Sequence, residues 1–286
     1  PLGSGAHSVG IVTDAAMHPL DGMRNFELAL KWLHTRQPAM ARAIAAERDS
    51  LLDFRFLRNY SHDSRQLFSA DRWALTGEAG SFLDPFYSPG SDFIAIANTY
   101  IVALLGHDRA GRKLAPYARI YEQLFRSFYA NTLSLFRGQY PLFGNAQVLP
   151  AKVTWDYAYY WGVLCQLMFQ RRLTDLDLLG ELRPELDHAQ ALNARMQQLF
   201  RHWHAASAGH SRREMLDQCS LVWFAALNRG LHDTLDDAGI RARLRGHVRV
   251  LDGLADALTL QAAAVDARLH APLSGQPRPA LFNAAR

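Results

Sequence analysis

Residues 73–98 read WALTGEAGSFLDPFYSPGSDFIAIAN. Arg72–Thr76 is a short apolar run and is expected as a buried strand. It leads straight into Gly77-Glu78-Ala79-Gly80. Ser81–Ser91 carries Pro85, Pro89 and Gly90 and reads as a shaped loop. A helix is expected from Ser91, a good N-cap with Asp92 in the first turn, to Leu105, with Gly106 ending it. In physical terms, a strand ends in glycine and a carboxylate, and a helix N-terminus then points its free amides outward. Glycine permits close approach of a ligand to the backbone, and the helix start offers unsatisfied N–H groups and partial positive charge. Such a site suits a ligand with hydroxyls for the carboxylate and an electron-rich ring edge over the helix.

Working outward, His7–Asp14 is short and β-branched and is expected as a strand. Helices are expected at Asn25–His34 and Pro38–Arg48, the latter opening on proline. Phe54–Phe68 is expected as strand–turn–strand with Ser61, His62 and Asp63 at the turn. From Lys113 the periodicity is helical: Leu114, Tyr117, Tyr121, Leu124, Phe128 and Leu135 share one face. Further helices are expected at about Thr154–Arg171, Glu185–Ala206, Arg212–Leu227 and Arg241–Leu269, and a loose tail from Ala271. The expected fold class is therefore α/β: a strand-containing domain over residues 1–110, a mostly helical domain over 111–270, and a flexible tail over 271–286.

Composition narrows the function classes. Of 286 residues, 49% are hydrophobic and 20% charged, and 31 basic against 27 acidic residues leave a net charge of +4. The basic residues are dispersed, whereas tracking phosphates needs them clustered, so no nucleic-acid partner is expected. The longest apolar stretch, Phe93–Leu105, is too short to cross a bilayer, and no membrane partner is expected. No secretory leader precedes the first strand, which gives a cytoplasmic expectation. Cys165 and Cys219 are far apart and read as buried free thiols. There is no His-Glu-x-x-His or paired-cysteine motif for a metal, and no Gly-x-Ser-x-Gly for a serine hydrolase.

The motif resembles those of FAD-dependent monooxygenases and, more closely, of the flavin-dependent halogenases. Gly77-Glu78-Ala79 and Asp84-Pro85-Phe86-Tyr87-Ser88-Pro89-Gly90 match that pattern in order and spacing. The resemblance covers roughly residues 1–164. It implies FAD as cofactor, with Gly77, Glu78, Asp84, Pro85, Gly90 and Ser91 as the residues that face it. It also implies a separate flavin reductase as partner, and an electron-rich substrate that is either a free small molecule or tethered to a carrier protein. The family's Trp-x-Trp-x-Ile-Pro motif would end at Pro1, so the chain is expected to be a C-terminal portion of such an enzyme. No Gly-x-Gly-x-x-Gly is present to cradle the FAD pyrophosphate, and the family's essential lysine lies in that same region, so no catalytic residue is assigned. Three positions differ from the family. Glu78 replaces the usual Asp. Tyr87 stands where tryptophan halogenases carry a catalytic glutamate. Pro89 lacks an N–H that contributes to halide binding there.

Two alternatives belong beside this reading. Trp155, Tyr157, Tyr159, Tyr160 and Trp161 line an aromatic substrate pocket or, more simply, pack between helices. His202 and His204 lie two apart on a helix and do not face one another, which argues against a metal site. The competing class is a non-catalytic helical interaction module, and the shaped loop 81–91 is what such a module would not need.

Overall fold

A computed structural model describes residues 1–207 and 217–269. Among them every regular element is a helix. The α/β expectation is overturned: no strand forms at His7–Asp14, Phe54–Phe68 or Arg72–Thr76, and only two isolated antiparallel bridges occur, His62 with Phe82 and Phe68 with Ala74. Composition alone does not make a strand, because an extended segment needs a neighbour to take its amides and carbonyls. Val9 and Val12 in the first segment are exposed. At 67–68 the amides have found another partner: both are accepted by Oε2 of Glu122, at 2.8 and 3.0 Å. Nη2 of Arg126 donates to the Ser64 carbonyl at 2.7 Å. Side chains of one helix thus hold the segment where a sheet would have done so.

The chain divides into two compact units, Pro1–Tyr60 and Ser61–Arg286. The first contains α1 (Phe26–Arg36) and α2 (Pro38–Ala46). The Asn25 side chain caps α1 by accepting from the Leu28 amide at 2.9 Å. Leu30, Leu33 and Ala41 form a small core, with Ile11, Phe26, Trp32 and Ile44 packed on it.

The second unit is a helical assembly. It comprises α3 (Pro89–Arg109), α4 (Leu114–Ser134), α5 (Val148–Tyr159), a π-helical segment (Tyr160–Cys165), α6 (Gln166–Phe169), α7 (Leu176–Glu181), α8 (Arg183–Ala206), α9 (Val222–Arg229) and α10 (Asp237–Ala263). The helix expected from Ser91 starts two residues earlier, on Pro89, and runs through Gly106 to Arg109. α5, the π segment and α6 form one continuous helical run, the counterpart of the helix read at Thr154–Arg171. The start of the helix read at Arg212–Leu227, and the tail read from Ala271, fall outside the described residues. α5, α8, α9 and α10 share one core around Trp155, Phe200 and Leu254. α3 and α4 share another, around Phe93, Phe125 and Tyr121, closed by Leu182 and Leu244. Cys165 is buried as expected, whereas Cys219 is exposed. No helix among the described residues is long and apolar enough to cross a membrane, and no cluster of metal-ligating side chains occurs among them.

Candidate functional site

The residues from Gly77 to Asp92 are built from exceptional backbone. Gly77–Ala79 is a single 3-10 turn, and Gly77 has a φ of 60°, a conformation suited to glycine. Further on, Tyr87 and Ser88 are consecutive non-glycine residues in the left-handed region, with φ of 64° and 54°. Ser88 also precedes a proline, where ring sterics disfavour helical backbone angles. Residues held this way persist only where the surroundings over-determine them.

Three tyrosine–carboxylate hydrogen bonds supply that determination. The Tyr87 hydroxyl donates to Asp156 Oδ2 at 2.9 Å. The Tyr160 hydroxyl donates to Asp92 Oδ1 at 2.8 Å. The Tyr140 hydroxyl donates to Asp84 Oδ2, whose other oxygen accepts from the Phe86 amide at 2.8 Å. The loop and the first turn of α3 are thereby bound to the Val148–Phe169 run and to the turn before it. Burial pushes the Asp84 and Asp92 carboxyls upward, against the lowering effect of the Phe86 amide on Asp84 and of the Tyr160 hydroxyl on Asp92. Burial, and then the Asp156 charge, holds the Tyr87 phenol well above its usual range. Aromatic contacts reinforce the loop: Phe86 packs on Phe143 with ring centres 4.7 Å apart, and Tyr87 meets Tyr157 edge-on at 5.6 Å.

Asp156 belongs to a buried polar network that sequence reading missed. Lys152, fully buried, donates to Asp156 Oδ2 at 2.6 Å and to Gln197 Oε1 at 2.9 Å. Gln197 donates to Asp156 Oδ1 at 2.7 Å. Burial lowers the Lys152 pKa, opposed by the Asp156 charge. The available signal was Lys152 and Asp156 one turn apart inside an otherwise apolar stretch, VLPAKVTWDYAY. Of the aromatic cluster read beside them, Trp155 is buried as packing and donates to Asn193 at 2.9 Å.

The residues read as flavin-facing divide into two groups. Asp84 is engaged within the loop, and Pro85 is exposed beside it. Glu78, Gly90 and Ser91 are left open. Glu78 is exposed, and its carboxylate makes no hydrogen bond among the described residues; only its carbonyl is used, accepting from His62 Nε2 at 2.9 Å. Ser88 does not cap α3, so side chains leave the first-turn amides unmet. A Cβ at Gly90 would meet nothing within 4 Å, while one at Gly77 would lie 3.2 Å from Ile94 Cγ1. Thr76 donates to Asn98 Oδ1 at 3.0 Å. Gly90, Ile94 and Asn98 recur at four-residue intervals and share one face of α3. The turn carrying Glu78 therefore sits on the Gly90 side of the helix. Two amides able to donate, a carboxylate able to accept and open space at a glycine are the groups that a flavin ring edge and ribityl chain would call on.

Among known proteins, the chain is similar to a flavin-dependent halogenase. That relative is flavin-dependent halogenase chlA of Dictyostelium discoideum, 21% identical over 203 residues, an alignment covering 65% of this chain and 33% of chlA. The chain thus spans about a third of the length of the curated relative it matches. No protein-family description matches the chain, and no solved structure matches it.

Proposed function

We propose that this chain contributes the flavin-facing turn and a helical region to an FAD-dependent oxidoreductase of halogenase or monooxygenase type. The observation that carries the reading is the uncapped start of α3 with open space at Gly90, together with the exposed Glu78 in the turn that packs on Ile94 of the same helix. Glu78 would hold ribityl hydroxyls, and the Gly90 and Ser91 amides would face the electron-rich ring edge. When bound in reduced form, the flavin supplies the oxygen-activating chemistry, and a separate reductase delivers it. The substrate class is an electron-rich small molecule, free or carrier-tethered.

Riboflavin carries the ring and ribityl chain without the pyrophosphate, so it probes this site directly. Titrated against the 286-residue chain, it is expected to show saturable fluorescence quenching. Glu78→Ala should weaken binding about tenfold, the loss of one charge-assisted hydrogen bond. Gly90→Val should abolish binding while the fold persists, since its Cβ meets nothing. The absence of any saturable quenching would overturn the reading and leave the helical interaction module, a class that a mostly helical fold also admits.

A further inference from the structure

The second unit contains a partly open cavity of about 170 Å³ beyond the first turn of α3. Its lining repeats every three or four residues along α4 from Leu124 to Leu135, and with the same spacing along the facing run from Asp156 to Leu167. The two helices run antiparallel there: Phe136 and Asp156 both meet Tyr87, while Asn131 meets Tyr159 further along. At 1.5 Å per residue the lined seam is about 16 Å long. The π segment provides the middle of one wall, through Tyr160, Val163 and Leu164. A dry cavity of about 150 Å³ holds a six-carbon ring. A similar volume drawn out over such a length is narrow, and it fits a chain better than a ring.

The two ends differ. One is apolar, with Leu124, Leu167 and Leu173. The other carries Asp156, Asn131, Asn193 and Tyr159. There Asp156 already accepts from Lys152, Tyr87 and Gln197, and the two asparagines bond each other. The Tyr159 hydroxyl accepts from Asn131, and its own proton has no acceptor among the described residues. A carboxylate head would find no free cation there, because Lys152 is already held by Asp156 and Gln197, whereas a neutral oxygen would be met by a donor. Ser127 and Gln190 are the exposed residues of the lining and mark its mouth between α4 and α8.

We propose that this cavity binds a neutral ligand with an unbranched aliphatic chain of about six to eight carbons, its oxygen at Tyr159 and its tail toward Leu124 and Leu167. The inference does not rest on the flavin reading.

Calorimetric titration of the purified chain with a series of linear primary alcohols tests it, with phenol and octanoate as comparison arms. Affinity should rise about fourfold for each added methylene and level off once the cavity is full, at about six to eight carbons. Phenol and octanoate should bind more weakly than the best alcohol. Leu164→Phe, which fills the seam, and Ser127→Trp, which blocks the mouth from an exposed position, should each cost at least about tenfold in affinity. Two variants keep the test open should one of them fold poorly. No saturable heat, an affinity that climbs without levelling, or a preference for phenol or octanoate would overturn the proposal.

Discussion

At the scale of single residues, Tyr87 couples a strained backbone to a buried charge pair. Left-handed angles at Tyr87 and Ser88 cost about 1–3 kcal/mol each, and the phenol–carboxylate bond to Asp156 offsets part of that cost. Tyr87→Phe is expected to lower unfolding stability by about 1–3 kcal/mol in urea titrations at neutral pH. The same substitution should flatten the alkaline limb of the stability profile. Burial raises the folded phenol above its ordinary value of 10.0. The hydroxyl's contribution is therefore complete below pH 10.0 and is lost as pH rises further, because the unfolded chain sheds that proton first. Urea titrations at successive pH values should show a steeper fall for the wild type than for the phenylalanine variant; parallel profiles would contradict the burial argument. Lys152→Met should be more severe, about 3–5 kcal/mol, because Asp156 would stay buried without its cation. A loss within experimental error would mean that Tyr87 and Gln197 satisfy Asp156 by themselves.

At the scale of elements, periodicity located most of what formed. The α4 stripe from Leu114 to Phe128 and the α8 span were readable because each rests on side chains repeating at helical spacing, and the start of α2 because proline suits a first helical turn. The extended segments were misread because their fate was decided elsewhere in the chain: Glu122 captures the amides of Leu67 and Phe68, and nothing within 54–68 announces that. For the site, the order of glycine, carboxylate and helix start was legible locally. The Lys152 network was not, since Gln197 lies 45 positions from Lys152 and Tyr87 lies 69 from Asp156. Gly106 gives a sharp check at this scale. It was read as a stop signal, yet α3 continues to Arg109 and a Cβ there would meet nothing within 4 Å. Gly106→Ala should therefore stabilise the protein by about 0.5–1 kcal/mol, seen as a higher melting temperature. A lower one would show that the helix requires glycine for a reason other than space.

At the scale of the whole molecule, the division at Tyr60 and Ser61 has a direct consequence. A fragment beginning at Ser61 retains both large cores and should unfold cooperatively in urea with a strongly helical circular dichroism spectrum. A gradual, non-cooperative melt would mean that the second unit does not fold independently. Within that unit, the Glu122 carboxylate does more than tether a loop. Leu67 and Phe68 are buried, so their amides have no water to turn to and would be orphaned without a partner. By accepting from both amides, Glu122 on α4 does for this segment what a neighbouring strand would otherwise do. Its loss would be felt less as a weaker helix contact than as two buried donors left to find water.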